Sequence, residues 1–236
     1  MKSKKDAVLL LRALKEDGID EIYLPPVIKK MPAAAAPVKT KTASAEMSPV
    51  RQEMIKLREV ALKCTLCDEL ASTRTKVVFG AGNIKAELMF IGEAPGQDED
   101  EQGLPFVGRA GQLLTKIIES IGLSRDSVFI ANVLKCRPPG NRPPKPDEIK
   151  NCRPYLEKQI ELLKPKIICA LGTFAAQTLL KSEEPIGKLR GRFIDFVPGT
   201  KVLCTYHPAY LLRNPGEKRT VWEDMKKIKA ALDAGT

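Results

Sequence analysis

The sequence predicts an α/β protein with a central, mostly parallel four-stranded sheet flanked by helices. Two observations carry that expectation. Four apolar, strand-like runs recur along the chain: "ELMFIG" (87–92), "SVFIANVL" (127–134), "KIICALG" (166–172) and "KVLCTY" (201–206). Helix-like stretches lie between or after them, at 111–122, 147–163, 173–181 and 217–231. Strands that alternate with helices need crossover connections, which make neighbouring strands parallel and cover both faces of the sheet.

The chain has 236 residues, enough for one large domain and an appendage. Residues 1–24 open it with an amphipathic helical pattern, Val8, Leu11 and Leu14 with Lys15 recurring at helical spacing. The following stretch, "LPPVIKKMPAAAAPVKTKTASAEMSP", is a linker composition, too poor in large apolar groups to offset chain entropy. A boundary is therefore expected near Ser48: an N-terminal arm over 1–48 and a folded domain over 49–236. The arm is a candidate surface for a protein partner. Ser48 is placed to cap, and Pro49 to open, a helix through "VRQEMIKLREVALKC". The segment "GRFIDFVPGT" reads as an extra strand and turn before the fourth run.

Charge and composition narrow the function classes. A formal net charge of +10 favours polyanions, with nucleic acid first among them. No run reaches the roughly 18 apolar residues of a membrane span. Arg12 interrupts the short apolar run near the start, and no small-residue cleavage site follows. The expectation is a cytoplasmic protein without a membrane partner, acting as a monomer.

In parallel sheets, ligands bind at the carboxyl ends of the strands. Three of those ends run into unusual loops: "GEAPGQDEDEQGLPF", "NVLKCRPPGNRPP" and "HPAYLLRNP". The last begins with His207, the sole histidine in the chain. Histidine is the one side chain whose unperturbed pKa sits near neutrality, so its position at a strand's carboxyl end marks a candidate site.

Six cysteines divide into two groups. Cys169 and Cys204 sit within strand runs and read as core. Cys64 and Cys67 form "CTLC" at the end of a helix, while Cys136 and Cys152 flank a proline-rich loop. Four thiolates at these spacings suit zinc or a four-iron four-sulfur cluster, and spacing alone does not choose between them. The loop between the second pair carries Arg137, Arg142, Lys145 and Lys150 on a proline-stiffened backbone, a pattern suited to phosphate.

The segments "GEAPGQDEDEQGLPFVGRAGQLL", "NVLKCRPPGNRPPKPDEIKNCRPYL" and "HPAYLLRNP", in that order with "CTLC" upstream, resemble the iron–sulfur (family 4) uracil-DNA glycosylases over about residues 50 to 230. The resemblance implies a uracil-DNA glycosylase-like fold and a monofunctional repair hydrolase. Such an enzyme flips uracil out of DNA and cuts its N-glycosidic bond. It implies a four-iron four-sulfur cluster on Cys64, Cys67, Cys136 and Cys152. Phe106 would stack on the base, Asn132 would read its edge, and His207 would contact the uracil carbonyl beside the breaking bond. Gly92, Glu93, Ala94 and Gly96 would line the pocket. Ala94 and Gly96 stand where the best-known uracil glycosylases carry a water-positioning aspartate and a thymine-excluding tyrosine. Among the acidic residues Asp98, Glu99 and Asp100, Glu99 is carried with Glu93 as a catalytic candidate. Leu211 or Leu212 would wedge into the emptied stack, and Arg213, Arg137 and Arg142 would hold phosphates. A covalently attaching or non-catalytic uracil-DNA-binding iron–sulfur protein is the alternative. The covalent subgroup uses a second histidine, which this chain lacks.

Overall fold

The computed structural model describes residues 48–235. The helix expected within residues 1–24 lies outside the described residues. The first described element is α1 (Pro49–Leu62), with Ser48 as its N-cap. The Ser48 hydroxyl accepts from the Arg51 amide at 3.4 Å, and Pro49 opens the first turn. In chain order there follow α2 (Asp68–Thr73), β1 (Ala81–Gly82), β2 (Leu88–Gly92), α3 (Gln97–Gln102), α4 (Arg109–Ser120) and β3 (Phe129–Asn132). Next come α5 (Pro146–Leu163), β4 (Ile167–Leu171), α6 (Thr173–Leu180), α7 (Ile186–Leu189), β5 (Phe193–Val197) and β6 (Thr200–Thr205). The chain closes with α8 (Pro208–Arg213) and α9 (Lys218–Asp233).

Among the described residues the sheet has six strands rather than the expected four, in the order β1-β3-β2-β4-β6-β5. The four runs read from the sequence form its parallel centre. The added strands pair antiparallel at the two edges. One is the segment foreseen as an extra strand. The other, β1, has two residues and is too short to leave a hydrophobic pattern. The sheet is therefore mixed.

The central strands are apolar throughout because both faces are covered. Along β2, Met89 and Ile91 face one core while Leu88 and Phe90 face the other. The first core takes Met54 and Ala61 of α1, Leu156 and Ile160 of α5, and Ala175 and Leu179 of α6. The second takes Leu114 and Ile118 of α4 and Val221, Met225 and Ile228 of α9. Cys169 and Cys204 are fully buried, one in each core. Since β2, β3, β4 and β6 run parallel, their carboxyl ends share one edge of the sheet, and the loops that follow them are brought together there. No helix among the described residues is long and apolar enough to cross a membrane.

Candidate active site

A cavity of about 840 Å³ opens along that edge. Its lining brings together Glu93, Ala94 and Gly96 after β2, Glu99 of α3, Phe106 before α4, Asn132 at the end of β3, and His207 after β6. Gly92 lies directly behind it. A Cβ on Gly92 would fall 2.4 Å from Asn132 Oδ1 and 2.5 Å from the tip of the Phe106 ring. Only a glycine lets these two side chains meet there.

Asn132 is 1% exposed, and its Oδ1 has no hydrogen-bond partner. An orphaned buried amide oxygen is costly, and here it sits at the wall of a cavity. Its backbone carbonyl is not orphaned, because it accepts from Lys135 Nζ at 2.8 Å. Lys135 is itself 2% exposed and donates also to Gln159 Oε1 at 2.7 Å. Although Lys135 adjoins the basic loop in sequence, it does not face solvent or phosphate: its ammonium is an internal tie between the end of β3 and α5.

His207 is the N-cap of α8. Its Nδ1 accepts the Ala209 amide at 3.1 Å. That bond leaves the proton of a neutral imidazole on Nε2, as a donor. Burial, helped by the positive charge of Arg213 and opposed by Glu99, pushes its pKa down to about 4. The ring stands 5.6 Å from the Phe106 ring, centroid to centroid. Burial also raises the carboxyl of Glu93 above its ordinary range.

The acidic run of the first loop folds as α3, so Asp98, Glu99 and Asp100 point to different tasks. Glu99 Oε1 accepts the amides of Val107 (2.8 Å) and Gly108 (2.9 Å), and Oε2 accepts that of Gly96 (3.1 Å). Asp100 is buried on the far side, where it accepts the Thr75 and Lys76 amides. The Asp98 carboxylate lies beside Gly108.

Residues 79–226 match the model of the uracil DNA glycosylase superfamily. The chain belongs to this superfamily. A type-4 uracil-DNA glycosylase of Saccharolobus solfataricus is 51% identical over 180 residues, covering 73% of this chain and 83% of that protein. One of Thermotoga maritima is 45% identical over 186 residues, 77% of this chain and 96% of that protein. A type-5 uracil-DNA glycosylase of Pyrobaculum aerophilum is 32% identical over 175 residues, 65% of this chain and 75% of that protein.

In this glycosylase-superfamily chain the four cysteines of interest gather beside the first core. Cys136 interacts electrostatically with Cys64 and Cys67, and Cys152 with Cys136 and Cys67. Three of the four sulfurs have a donor. Arg74 Nη1 reaches Cys136 Sγ at 3.2 Å, Asn151 Nδ2 reaches Cys67 Sγ at 3.4 Å, and the Lys135 amide reaches Cys152 Sγ at 3.5 Å. Burial, helped by the neighbouring Cys64, pushes the Tyr155 hydroxyl's pKa up. Donors aimed at sulfur are what thiolate ligands of a metal centre require, so the residues fit such a group. Without one, burial drives Cys136 upward and Cys152 to about 11, toward the neutral thiol. Among the described residues no set of three histidine, cysteine or carboxylate side chains meets the spacing of a single-ion site.

The expected nucleic-acid contacts separate. Leu211 is fully buried in the second core, so it is removed from the wedge candidates; its side chain packs inward with Val221 and Met225 of α9. Leu212, the next residue on α8, is 39% exposed. Arg213 is exposed at the cavity rim. Arg142 lines the cavity, yet its guanidinium is bound to both oxygens of Glu148 and to Glu69. It ties the loop between the second cysteine pair to α5 and to α2, which follows the first pair. Lys145 also binds Glu69, and Arg137 Nε donates to Asn141 Oδ1 at 2.7 Å. Sequence reasoning missed Gly172, Thr173, Phe174 and Tyr206, which also line the wall. The first three follow β4, the one parallel strand whose carboxyl end was not singled out, so its place among the four parallel strands was the available signal.

Proposed function

We propose that this chain hydrolyses the bond between uracil and deoxyribose in DNA, leaving an abasic site for base-excision repair. The observation that carries the reading is the orphaned Oδ1 of Asn132, set beside the Phe106 ring and a neutral, Nε2-protonated His207 in one cavity. A flipped uracil offers an N–H to the amide oxygen and a carbonyl to the amide nitrogen, whereas cytosine presents the opposite pattern at its amino group. Phe106 supplies the flat apolar partner for the ring. His207 donates to the carbonyl on which negative charge grows as the bond breaks.

Water is the nucleophile in this reading. The described residues lining the cavity include no lysine, so no amine is positioned for a Schiff base, and Lys135 is committed to Asn132 and Gln159. A carboxylate has about four acceptor positions. Backbone amides occupy three on Glu99, and the fourth is assigned to the attacking water. Glu93, whose carboxyl burial pushes above its ordinary range, lines the pocket.

A four-iron four-sulfur cluster on Cys64, Cys67, Cys136 and Cys152 supplies a structural staple between the α1–α2 turn and α5. The nearby donors and the type-4 relatives support that assignment. Leu212 fills the gap left by the base, and Arg213 holds a phosphate at the rim. Arg137 adds a further phosphate contact, while Arg142 serves the loop. The catalytic unit begins near Ser48, and the protein acts as a monomer in the cytoplasm. The test is turnover on an oligonucleotide with a single uracil. Many abasic sites per enzyme, with the strand left intact, is the expected result. One adduct per chain, or binding without excision, refutes it.

A further inference from the structure

The loop that carries Phe106 is held in a conformation its sequence disfavours. Phe106 has φ +53°, in the left-handed region that a bulky side chain rarely adopts. Such a residue persists where its surroundings over-determine it. Arg125, in the connection between α4 and β3, is the feature that accounts for it. Its Nη2 donates to the Pro105 carbonyl at 2.7 Å, and its Nη1 donates to the Phe106 carbonyl at 3.0 Å. Nη1 also reaches Thr115 Oγ1 on α4 at 3.3 Å, which anchors the guanidinium. On the other side, Glu99 Oε1 takes the Val107 and Gly108 amides. The peptide between Phe106 and Val107 is thus gripped at its oxygen by a cation and at its N–H by an anion. Gly111 leaves room for this geometry, because a Cβ there would lie 1.9 Å from the Phe106 oxygen.

The geometry points to Arg125 as a positioning residue for the base-stacking ring: its fork holds the carbonyls of Pro105 and Phe106 and so fixes Phe106 in the pocket. The inference rests on the reading that Phe106 stacks on the extruded base. Arg125 is not among the residues lining the cavity, so it acts through Phe106 and not on the substrate. A planar guanidinium suits the task because two adjacent carbonyls need two fixed donors, which a lysine ammonium does not present.

The test is a double-mutant cycle in the full chain with its cofactor, read as single-turnover excision of uracil and as thermal unfolding. Arg125→Ala should slow excision about tenfold when Phe106 is present, and less than about twofold in the Phe106→Ala background, since residues that act through one another are not additive. Arg125→Lys should recover only part of the rate. It also carries the test if Arg125→Ala does not fold. Equal losses in both backgrounds, or full recovery with lysine, overturn the inference. So does an Arg125→Ala enzyme of normal rate when Phe106→Ala is slow, and that result leaves the stacking role intact. A Phe106→Ala enzyme of normal rate overturns the stacking role, and this inference with it.

Discussion

His207 should remain neutral throughout the pH range in which the enzyme works, and acid should expose that fact in two separable measurements. The perturbation is a titration from pH 8 to pH 3. Burial and Arg213 hold the folded-state pKa at about 4, against 6.5 for the free side chain. Between those values the unfolded chain binds a proton that the folded one refuses. Stability from this group is therefore full above about pH 6.5, falls as pH drops toward 4, and is level below that. The interval of about 2.5 units corresponds to roughly 3 kcal/mol. Because the chain has one histidine, its imidazole signals in an NMR titration need no assignment. They should stay those of the neutral form, protonated on Nε2, down to near pH 4. Urea unfolding at several pH values should show the matching slope, which His207→Ala abolishes. The same substitution should lower the single-turnover rate by about 10²–10³, the range for removing one transition-state donor. An imidazole titrating near 6.5 in the folded protein, or a His207→Ala enzyme with an unaltered chemical step, would refute the reasoning.

Three further outcomes are expected. Gly92→Ala should place a methyl against both Asn132 Oδ1 and the Phe106 ring, displacing them by about 1 Å and slowing excision on the order of 10²-fold; an unchanged rate would show that neither group touches the base. Leu211→Ala should cost about 2–5 kcal/mol in denaturant unfolding as a core truncation. Leu212→Ala should cost less than about 0.5 kcal/mol and instead slow excision from duplex more than from single-stranded DNA. Anaerobically purified protein should be brown, with about four iron atoms and four sulfides per chain. Cys152→Ser should lose that colour along with thermal stability, and a colourless protein holding one zinc would refute the cluster.

The parallel centre of the sheet was legible because strands buried on both faces are apolar without interruption, and the helices between them dictate crossovers. Its two edges were harder to read. β5 left a short apolar run, but two-residue β1 left none. His207 was legible for a related reason, as the sole histidine at the carboxyl end of an apolar strand, whereas Asn132 was singled out by the family resemblance. Side-chain direction within short elements was not legible. Leu211 and Leu212 are adjacent on a six-residue helix, where no period can say which faces the core. Arg142 looked like its basic neighbours until Glu148 and Glu69, contributed by two helices, were seen to enclose it. Arg125 had no sequence signal at all. Its task depends on the backbone of a loop some twenty residues earlier in the chain, and backbone partners leave no pattern in composition.

The charges around the cavity have a common logic. Uracil enters neutral and leaves as an anion, so a group helps the reaction only by binding the second state better than the first. A cationic imidazole would attract the phosphates of any DNA and gain affinity without discrimination. A neutral one gains mainly as charge grows on the base. Burial of His207 achieves that, and Arg213 reinforces it from the rim, where its side chain is exposed to solvent. Glu93 is pushed the same way, toward its uncharged form. Glu99 accepts three backbone amides, which make it the fixture that shapes the Phe106 loop. The wall nearest the base is thus rich in fixed dipoles, and the Arg213 guanidinium stands at the rim. That arrangement separates the two tasks of the site, holding a polyanion and expelling a base as an anion, by placing them on different residues.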